Sequence, residues 1–112
     1  MAHSAASAAV AEALQVRPGR YPAPVQERAV RQDWQAQGFT CQLWVDPPGQ
    51  EWTDFVHETR ELVTVLEGRL EFQAQGRSVL LDPGDELLLP RRVRHTVKNV
   101  FGGTARWLFG YG

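Results

Sequence analysis

Residues 61–90, ELVTVLEGRLEFQAQGRSVLLDPGDELLLP, decide the fold. Apolar and β-branched residues come here in short runs that glycine, proline and aspartate interrupt. The run at 62–67 is rich in β-branched residues, and the run at 69–74 alternates with a period of two, as half-buried strands do. A third run covers 78–81, and the tetrapeptide Asp-Pro-Gly-Asp at 82–85 is a strong turn signal. The stretch therefore predicts strands joined by tight turns.

The same pattern extends to both sides of this stretch. Further strands are predicted at 39–45, 52–57, 86–89, 96–100 and 105–109. Many short strands at close, regular spacing are typical of an all-β sandwich or barrel. No segment after residue 25 shows convincing helical periodicity, so we expect no helix there.

The first residues differ from the rest in composition. Residues 4–15 are rich in alanine, which favours a helix, although so short a helix is marginal unless it docks on a surface. Residues 16–24, VRPGRYPAP, read as an extended linker because proline and glycine dominate them. We therefore expect a helical or disordered arm and a linker over 1–24, and a β-barrel domain over 25–112.

Length, charge and cysteine content restrict the class of protein. A chain of 112 residues suits one domain, and its net charge of −1 gives no electrostatic footprint for nucleic acid or an anionic membrane. The single cysteine, Cys41, excludes an internal disulfide and fits a reducing cytoplasm, which is where we expect the protein. The N-terminus lacks the pattern of a signal peptide, and no apolar run approaches the ~20 residues that span a bilayer.

Two histidines and one glutamate are the candidate metal ligands. His57 and Glu61 lie four residues apart where one predicted strand ends and the next begins, and His95 lies at the start of a later strand. Two imidazoles and a carboxylate match the ligand set of non-haem iron enzymes, and they suit zinc, manganese or nickel as well. Such a site needs neutral imidazoles, so its affinity should fall at acid pH. The alternative is that these residues are hydrogen-bonded structural groups.

The three candidate ligands lie within two sequence motifs that resemble those of a known family. Residues Gly49 to Gly68 resemble the first cupin motif, G-x5-H-x-H-x3-E-x6-G, and Gly84 to Asn99 resemble the second, G-x5-P-x-G-x2-H-x3-N. The chain resembles small single-domain bacterial cupins in the order and separation of the motifs. The resemblance implies a cupin or jelly-roll antiparallel β-barrel.

The motifs are incomplete at two positions. Metal-binding cupins take three histidines and a glutamate from the motifs, and His57, Glu61 and His95 match three of these four ligands. Phe55 stands where the leading histidine belongs, so water, substrate or another side chain would have to complete the site, and a vacant site is the alternative. Arg92 replaces the glycine of the second motif.

Nearby carboxylates are the obvious replacements for the missing histidine. Glu51 and Asp54 precede Phe55 in the same predicted strand. Strand alternation places Asp54 on the face opposite Phe55 and His57. We therefore do not expect Asp54 to complete the site.

The resemblance implies two classes of function. The first is a metal-dependent enzyme, of the dioxygenase, isomerase or lyase class, that acts on a small organic molecule; Glu61 could serve as a base instead of a ligand. The second is a non-catalytic barrel that binds or senses a small ligand. Cupins also commonly pair, so a homodimer is expected, with residues 25–32 able to add an edge strand to a neighbour.

Several other side chains have both a functional and a structural interpretation. The tryptophans at 34, 44, 52 and 107 line a cavity or fill the core or a dimer surface. Arginines 91, 92 and 94 bind a substrate carboxylate at the barrel mouth or form a solvated loop. Gly68 and Gly84 are expected to adopt positive φ in turns, and Asn99 to bridge a loop.

Overall fold

A computed structural model describes residues 12–112, which form two β-sheets and one helix. The strands are β1 (Gln15–Arg17), β2 (Gln42–Asp46), β3 (Glu51–Phe55), β4 (Glu61–Glu67), β5 (Leu70–Ala74), β6 (Arg77–Leu81), β7 (Glu86–Leu89), β8 (His95–Asn99) and β9 (Ala105–Tyr111), and the helix is α1 (Glu27–Ala36). One sheet has the order β1-β7-β4-β9-β2 and the other the order β3-β8-β5-β6. All strand pairs are antiparallel, and the two sheets form the predicted jelly-roll barrel.

The predicted strands are confirmed, with shifts of up to three residues at their ends. The hairpin of β5 and β6 turns at Gln75 and Gly76, between the two runs that predicted it. The strand expected at 39–45 begins later, at Gln42, because residues 39–41 form the connection from α1.

Strand β4 is buried on both faces, which explains its nearly continuous apolar sequence. Val63 and Val65 belong to the core cluster between the two sheets. Leu62 and Leu66 point the other way, into a second core cluster on the outer face of the five-stranded sheet. Only the last residue of the strand, Glu67, is exposed.

Helix α1 covers that outer face, and it contradicts the expectation that no helix follows residue 25. Residues 25–32, expected to form an edge strand, instead contain the approach to the helix and its first turns. Val30 and Trp34, four residues apart, lie on one face of the helix and are fully buried against the sheet. Two apolar positions among arginines and glutamines are too few to reveal helical periodicity, and docking on the sheet supplies the stability that the sequence alone does not.

A buried carboxylate on β7 fixes the helix to the sheet. Glu86 is 1% exposed and accepts a hydrogen bond from the indole of Trp34 at 3.0 Å. The hydroxyl of Tyr21, which donates to Asp33 at 2.7 Å, lies 3.4 Å from the same oxygen of Glu86. Arg17 lies 3.5 Å from the other oxygen of Glu86. Burial of a carboxylate is costly unless its oxygens are paired, and here both oxygens have partners.

The N-terminal segment joins the barrel earlier than predicted. The helix expected over 4–15 lies largely outside the described residues; at its described end, residues 12–14 are not helical and Gln15 begins strand β1. This strand pairs with β7, so part of the expected linker belongs to the five-stranded sheet.

Helix α1 has 10 residues. Between residues 12 and 112, the structure contains no helix that is long and apolar enough to cross a membrane.

Gly84 is required by the contact between this segment and the barrel. Its φ is +92°, and the φ of Gly68 is +101°, as predicted for both turns. A Cβ atom at position 84 would overlap the carbonyl oxygen of Tyr21. The backbone nitrogen of Tyr21 donates to the carbonyl of Gly84 at 3.0 Å, so the two backbones cannot separate without losing that bond.

We predict that Gly84→Ala destabilises the protein by about 3 kcal/mol, because left-handed strain and overpacking act together. The control is Gly76→Ala, where φ is +71° but no atom lies within 4 Å of the added Cβ, so strain of about 1 kcal/mol acts alone. Urea denaturation measures both free energies of unfolding. Equal losses in the two variants would contradict the close approach at Gly84.

Candidate metal centre

The structure brings the three candidate ligands together inside the barrel. His57 lies in the loop after β3, Glu61 begins β4 and His95 begins β8. One ligand atom from each lies within 4.8 Å of the others. Residues from both sheets therefore meet at one point.

Strand register explains why the three side chains converge. Glu61 shares the inward face of β4 with Val63 and Val65, by the alternation of side chains along a strand. His95 pairs with Phe55 on β3, which places it beside the loop that carries His57. The backbone nitrogen of Arg92 donates to the carbonyl of His57 at 2.8 Å, so the two motif loops are joined directly.

His95 is held with one ring nitrogen facing the cluster. Its Nδ1 lies 3.0 Å from the carbonyl oxygen of Val93, and because a carbonyl only accepts, Nδ1 carries the proton. In the neutral ring, Nε2 then has its lone pair free, 3.3 Å from Glu61 Oε1. Burial lowers the pKa of His95, but its contacts with Glu61 and Val93 outweigh that effect and leave the pKa above its usual value.

Glu61 has a buried oxygen without a hydrogen bond. Its Oε1 lies 3.5 Å from His57 Nε2 and 3.3 Å from His95 Nε2, but neither contact has hydrogen-bond geometry. A buried, unpaired carboxylate oxygen is unfavourable in a protein interior. A cation between this oxygen and the two ring nitrogens would satisfy it, so the donor set fits a divalent metal ion.

His57 lies at the more open side of the cluster. Its pKa is lowered by burial and by the neighbouring His95, against the opposing effect of Glu61. The hydroxyl of Tyr111 lies 3.4 Å from its Nε2. Burial and the charge of Glu61 raise the pKa of Tyr111 to about 12, so this hydroxyl keeps its proton at neutral pH and remains a donor.

Phe55 occupies the position of the missing histidine and adds no ligand. Its ring stacks on Trp52 and on His57, with centroid distances of 6.4 and 5.9 Å. Glu51 and Asp54 are both exposed and do not join the cluster. A bulge in β3 accompanies the φ of +58° at Asp54. Among residues 12–112, the grouped potential ligands are therefore the three predicted ones.

A cavity of about 230 Å³ lies beside the cluster. Its walls are mostly aromatic and consist of Trp44, Trp52, Phe55, Phe72, Val97, Trp107, Phe109 and Tyr111, together with His57, Glu61 and His95. The face of β9 that carries Trp107 and Phe109 points into the cavity. Three of the four tryptophans line the cavity, and Trp34 belongs to the helix contact instead.

Asp46, a residue not predicted from the sequence, orients two of these tryptophans. The side chain is 2% exposed and accepts hydrogen bonds from the indole nitrogens of Trp52 at 3.1 Å and Trp107 at 3.0 Å. It precedes two prolines, where an aspartate looks like an ordinary turn residue. Asn99, expected to bridge a loop, donates to the carbonyls of Asp46, Pro47 and Gly103.

The remaining candidates lie outside the cavity. Arg91, Arg92 and Arg94 are exposed, and Arg92 pairs with Glu58 at 3.0 Å, which agrees with a solvated loop. Arg92 has a φ of +61°, the left-handed conformation that the motif glycine would adopt without strain. Cys41 is buried beneath α1, where burial raises the pKa of its thiol.

We predict that Asp46→Ala lowers the free energy of unfolding by about 2–4 kcal/mol, because two indole N–H groups lose their shared charged acceptor. Asp82→Ala is the control, since Asp82 forms an exposed pair with Arg69 that is worth less than about 1 kcal/mol. Urea denaturation measures both. A loss at Asp46 no larger than that at Asp82 would contradict the assigned role of Asp46.

Solved structures of other proteins share this fold. A cupin 2 domain-containing protein from Halorhodospira halophila is 22% identical, with a TM-score of 0.66 over 89% of this chain and 78% of its own. The protein TT1209 from Thermus thermophilus is 25% identical, with a TM-score of 0.60 over 65% of this chain and 71% of its own. Salicylate 1,2-dioxygenase from Pseudoaminobacter salicylatoxidans is 16% identical, with a TM-score of 0.59 over 65% of this chain and 19% of its own.

A search of curated proteins found no significant match. The family model described as Cupin domain matches residues 42–111, which is more than half of the chain and includes every member of the candidate metal centre. That match agrees with the two motifs, the jelly-roll topology and the structural neighbours. The chain therefore belongs to the cupin domain family.

Proposed function

We propose that the protein binds a divalent metal ion through His57, Glu61 and His95 and uses it to hold a small organic molecule in the aromatic cavity. The observation that carries this proposal is the buried Oε1 of Glu61, which lies between two imidazole nitrogens without a hydrogen bond. Iron, manganese, nickel and zinc all suit this donor set.

The metal would supply a Lewis acid and free coordination positions for the bound molecule. The residues around the metal would orient its ligands and the bound molecule, and they would exclude water from the site. The carbonyl of Val93 keeps His95 in the binding tautomer, and the aromatic walls lower the access of water to the site. Tyr111, protonated at neutral pH, would donate a hydrogen bond to a bound oxygen atom.

Dioxygenase, isomerase and lyase chemistry are the enzymatic classes that we propose for this site. The salicylate dioxygenase shares the fold at 16% identity, which gives no preference among them. In an isomerase or lyase without a metal, Glu61 would act as the base, because it is the carboxylate that faces the cavity.

The second candidate function is a non-catalytic barrel that binds or senses a small ligand with a weak or vacant metal site. Phe55 is the observation that favours it, since an aromatic ring stands where a fourth ligand belongs. The single cysteine also fits the cytoplasmic location that we propose for either function.

We predict that Glu61→Gln weakens metal binding by roughly a hundredfold or more, because loss of a ligand should cost at least as much as loss of a supporting residue. The matched control is Glu58→Gln, an exposed glutamate in the same loop that pairs with Arg92. Elemental analysis and competition with a fluorescent chelator measure the stoichiometry and the affinity for Zn(II), Mn(II), Ni(II) and Fe(II). No metal binding by the unchanged protein would overturn the proposed function.

Phe55→His should tighten metal binding by at least about tenfold, because it adds a fourth ligand next to His57 and His95. Phe101→His is the control, since it places a histidine at an exposed phenylalanine that does not line the cavity. The same chelator competition measures both. An unchanged affinity in Phe55→His would show that position 55 does not face the metal.

We also propose that the chain pairs with a second copy through β2. This strand ends its sheet, and Leu43, Trp44 and Val45 are each more than a third exposed. Val45→Glu should convert a dimer into a monomer in sedimentation velocity at micromolar concentration, whereas Leu80→Glu, on the outer strand of the other sheet, should leave the dimer intact. A monomeric wild-type protein would contradict this pairing.

A further inference from the structure

The cavity wall contains few groups that could bind a charged ligand. Among residues 12–112, its ionisable side chains are His57, Glu61, His95 and Tyr111. The structure places no lysine or arginine on the wall within that range. Apart from the metal cluster and the Tyr111 hydroxyl, the lining is therefore apolar in character.

Two of the three cavity tryptophans do not change this conclusion, because their indole N–H groups are already engaged. The indole N–H groups of Trp52 and Trp107 both donate to Asp46, which is buried behind them. These two side chains therefore offer the cavity their ring surfaces and no free donor. The part of a ligand that lies away from the metal, within the cavity, therefore meets mainly apolar ring surface.

The arrangement of the rings favours a flat ligand. Trp52, Phe55 and His57 form successive stacked pairs, each with an interplanar angle of 25°. Trp44 stands at 72° to Trp52 and at 73° to Phe109, so its contacts with both rings are edge-to-face. An aromatic ligand could stack on the wall or contact a ring in the T-shaped geometry that aromatic pairs prefer.

Size limits the part of the ligand that lies inside the cavity to one ring. The cavity measures about 230 Å³, below the usual range of roughly 300–1,000 Å³ for sites that take drug-sized molecules. A cavity of roughly 150 Å³ in another protein binds benzene. The space therefore suits one six-membered ring with a small substituent.

Charge limits the ligand further. A divalent cation and the Glu61 carboxylate together carry a net charge of +1, which one anionic group balances. A second anionic group inside the cavity would lie against aromatic rings with no cation beside it among the described lining residues. Burying an unpaired charge in such surroundings is strongly unfavourable.

We propose that the cavity takes a compound with a single aromatic ring, one metal-binding group and no second charge. The metal-binding group of this ligand rests on the proposed function, whereas the ring rests on the wall formed by Trp44, Trp52, Phe55 and Phe109. The two parts can therefore fail separately.

Three hydroxamates with the same chelating group test the proposal on the zinc-loaded protein. Benzohydroxamate has the flat ring, cyclohexanecarbohydroxamate has a puckered one, and 4-carboxybenzohydroxamate adds a second charge. In calorimetric titrations we expect benzohydroxamate to bind about fivefold to tenfold tighter than the cyclohexane compound, from ring stacking. It should bind at least about tenfold tighter than the carboxylated compound, from the cost of the unpaired charge.

Trp52→Leu tests whether the wall produces the preference. This variant keeps the metal ligands and an apolar side chain but removes the largest stacked ring. It also removes one of the two indole donors to Asp46, and Trp107 keeps the other. We expect its zinc content to be unchanged and its preference for benzohydroxamate over the cyclohexane compound to fall below about twofold. Leu80→Ala, an exposed apolar residue outside the cavity, should retain the full preference.

Metal analysis before each titration separates the two proposals. A zinc-loaded protein that binds all three hydroxamates equally would overturn the inference about the ring and leave the metal site intact. If no metal binds, 4-methylphenol and 4-methylcyclohexanol are titrated into the metal-free protein and followed by tryptophan fluorescence. Tighter binding of the phenol would support the aromatic ligand without the metal, and equal or absent binding would overturn it.

Discussion

Burial of both faces of β4 is the constraint on which the rest of the structure depends. One face carries Val63 and Val65 into the space between the sheets, and the other carries Leu62 and Leu66 under helix α1. A strand in this position must be apolar almost throughout, so a polar residue that points inward is an exception. Glu61 is that exception, and it is the carboxylate of the candidate metal centre.

Between residues 12 and 112, the five-stranded sheet contains three buried carboxylates, which differ in their hydrogen bonding. Glu61 faces the cavity with an oxygen that has no hydrogen bond, whereas Glu86 accepts a hydrogen bond from Trp34 beneath the helix and Asp46 accepts hydrogen bonds from two tryptophans. A buried carboxylate with its partners in place holds structure together, whereas one without them has capacity to bind a cation. The hydrogen bonding of a buried carboxylate therefore distinguishes a candidate metal ligand from a structural residue more clearly than the residue type does.

Most of the barrel and the convergence of His57, Glu61 and His95 could be predicted from the sequence. Strand alternation and turn residues can be read from neighbouring positions in the sequence. The resemblance of the two motifs to those of cupins indicates which strand ends lie close together. Helix α1 could not be predicted, because Val30 and Trp34 gain their burial from a sheet whose other residues are distant in sequence. The role of Asp46 was hidden for the same reason, since its partners Trp52 and Trp107 lie on two different strands.

The family match begins at residue 42, but the folding unit begins earlier. Strand β1 and helix α1 both depend on β7, where Glu86 bonds Trp34 and lies beside Arg17. A chain cut at residue 42 would expose the apolar outer face that includes Leu62 and would leave the Glu86 carboxylate without these partners. The region that the family model matches is therefore smaller than the region that packs together, and the preceding segment from residue 15 is an integral part of the barrel.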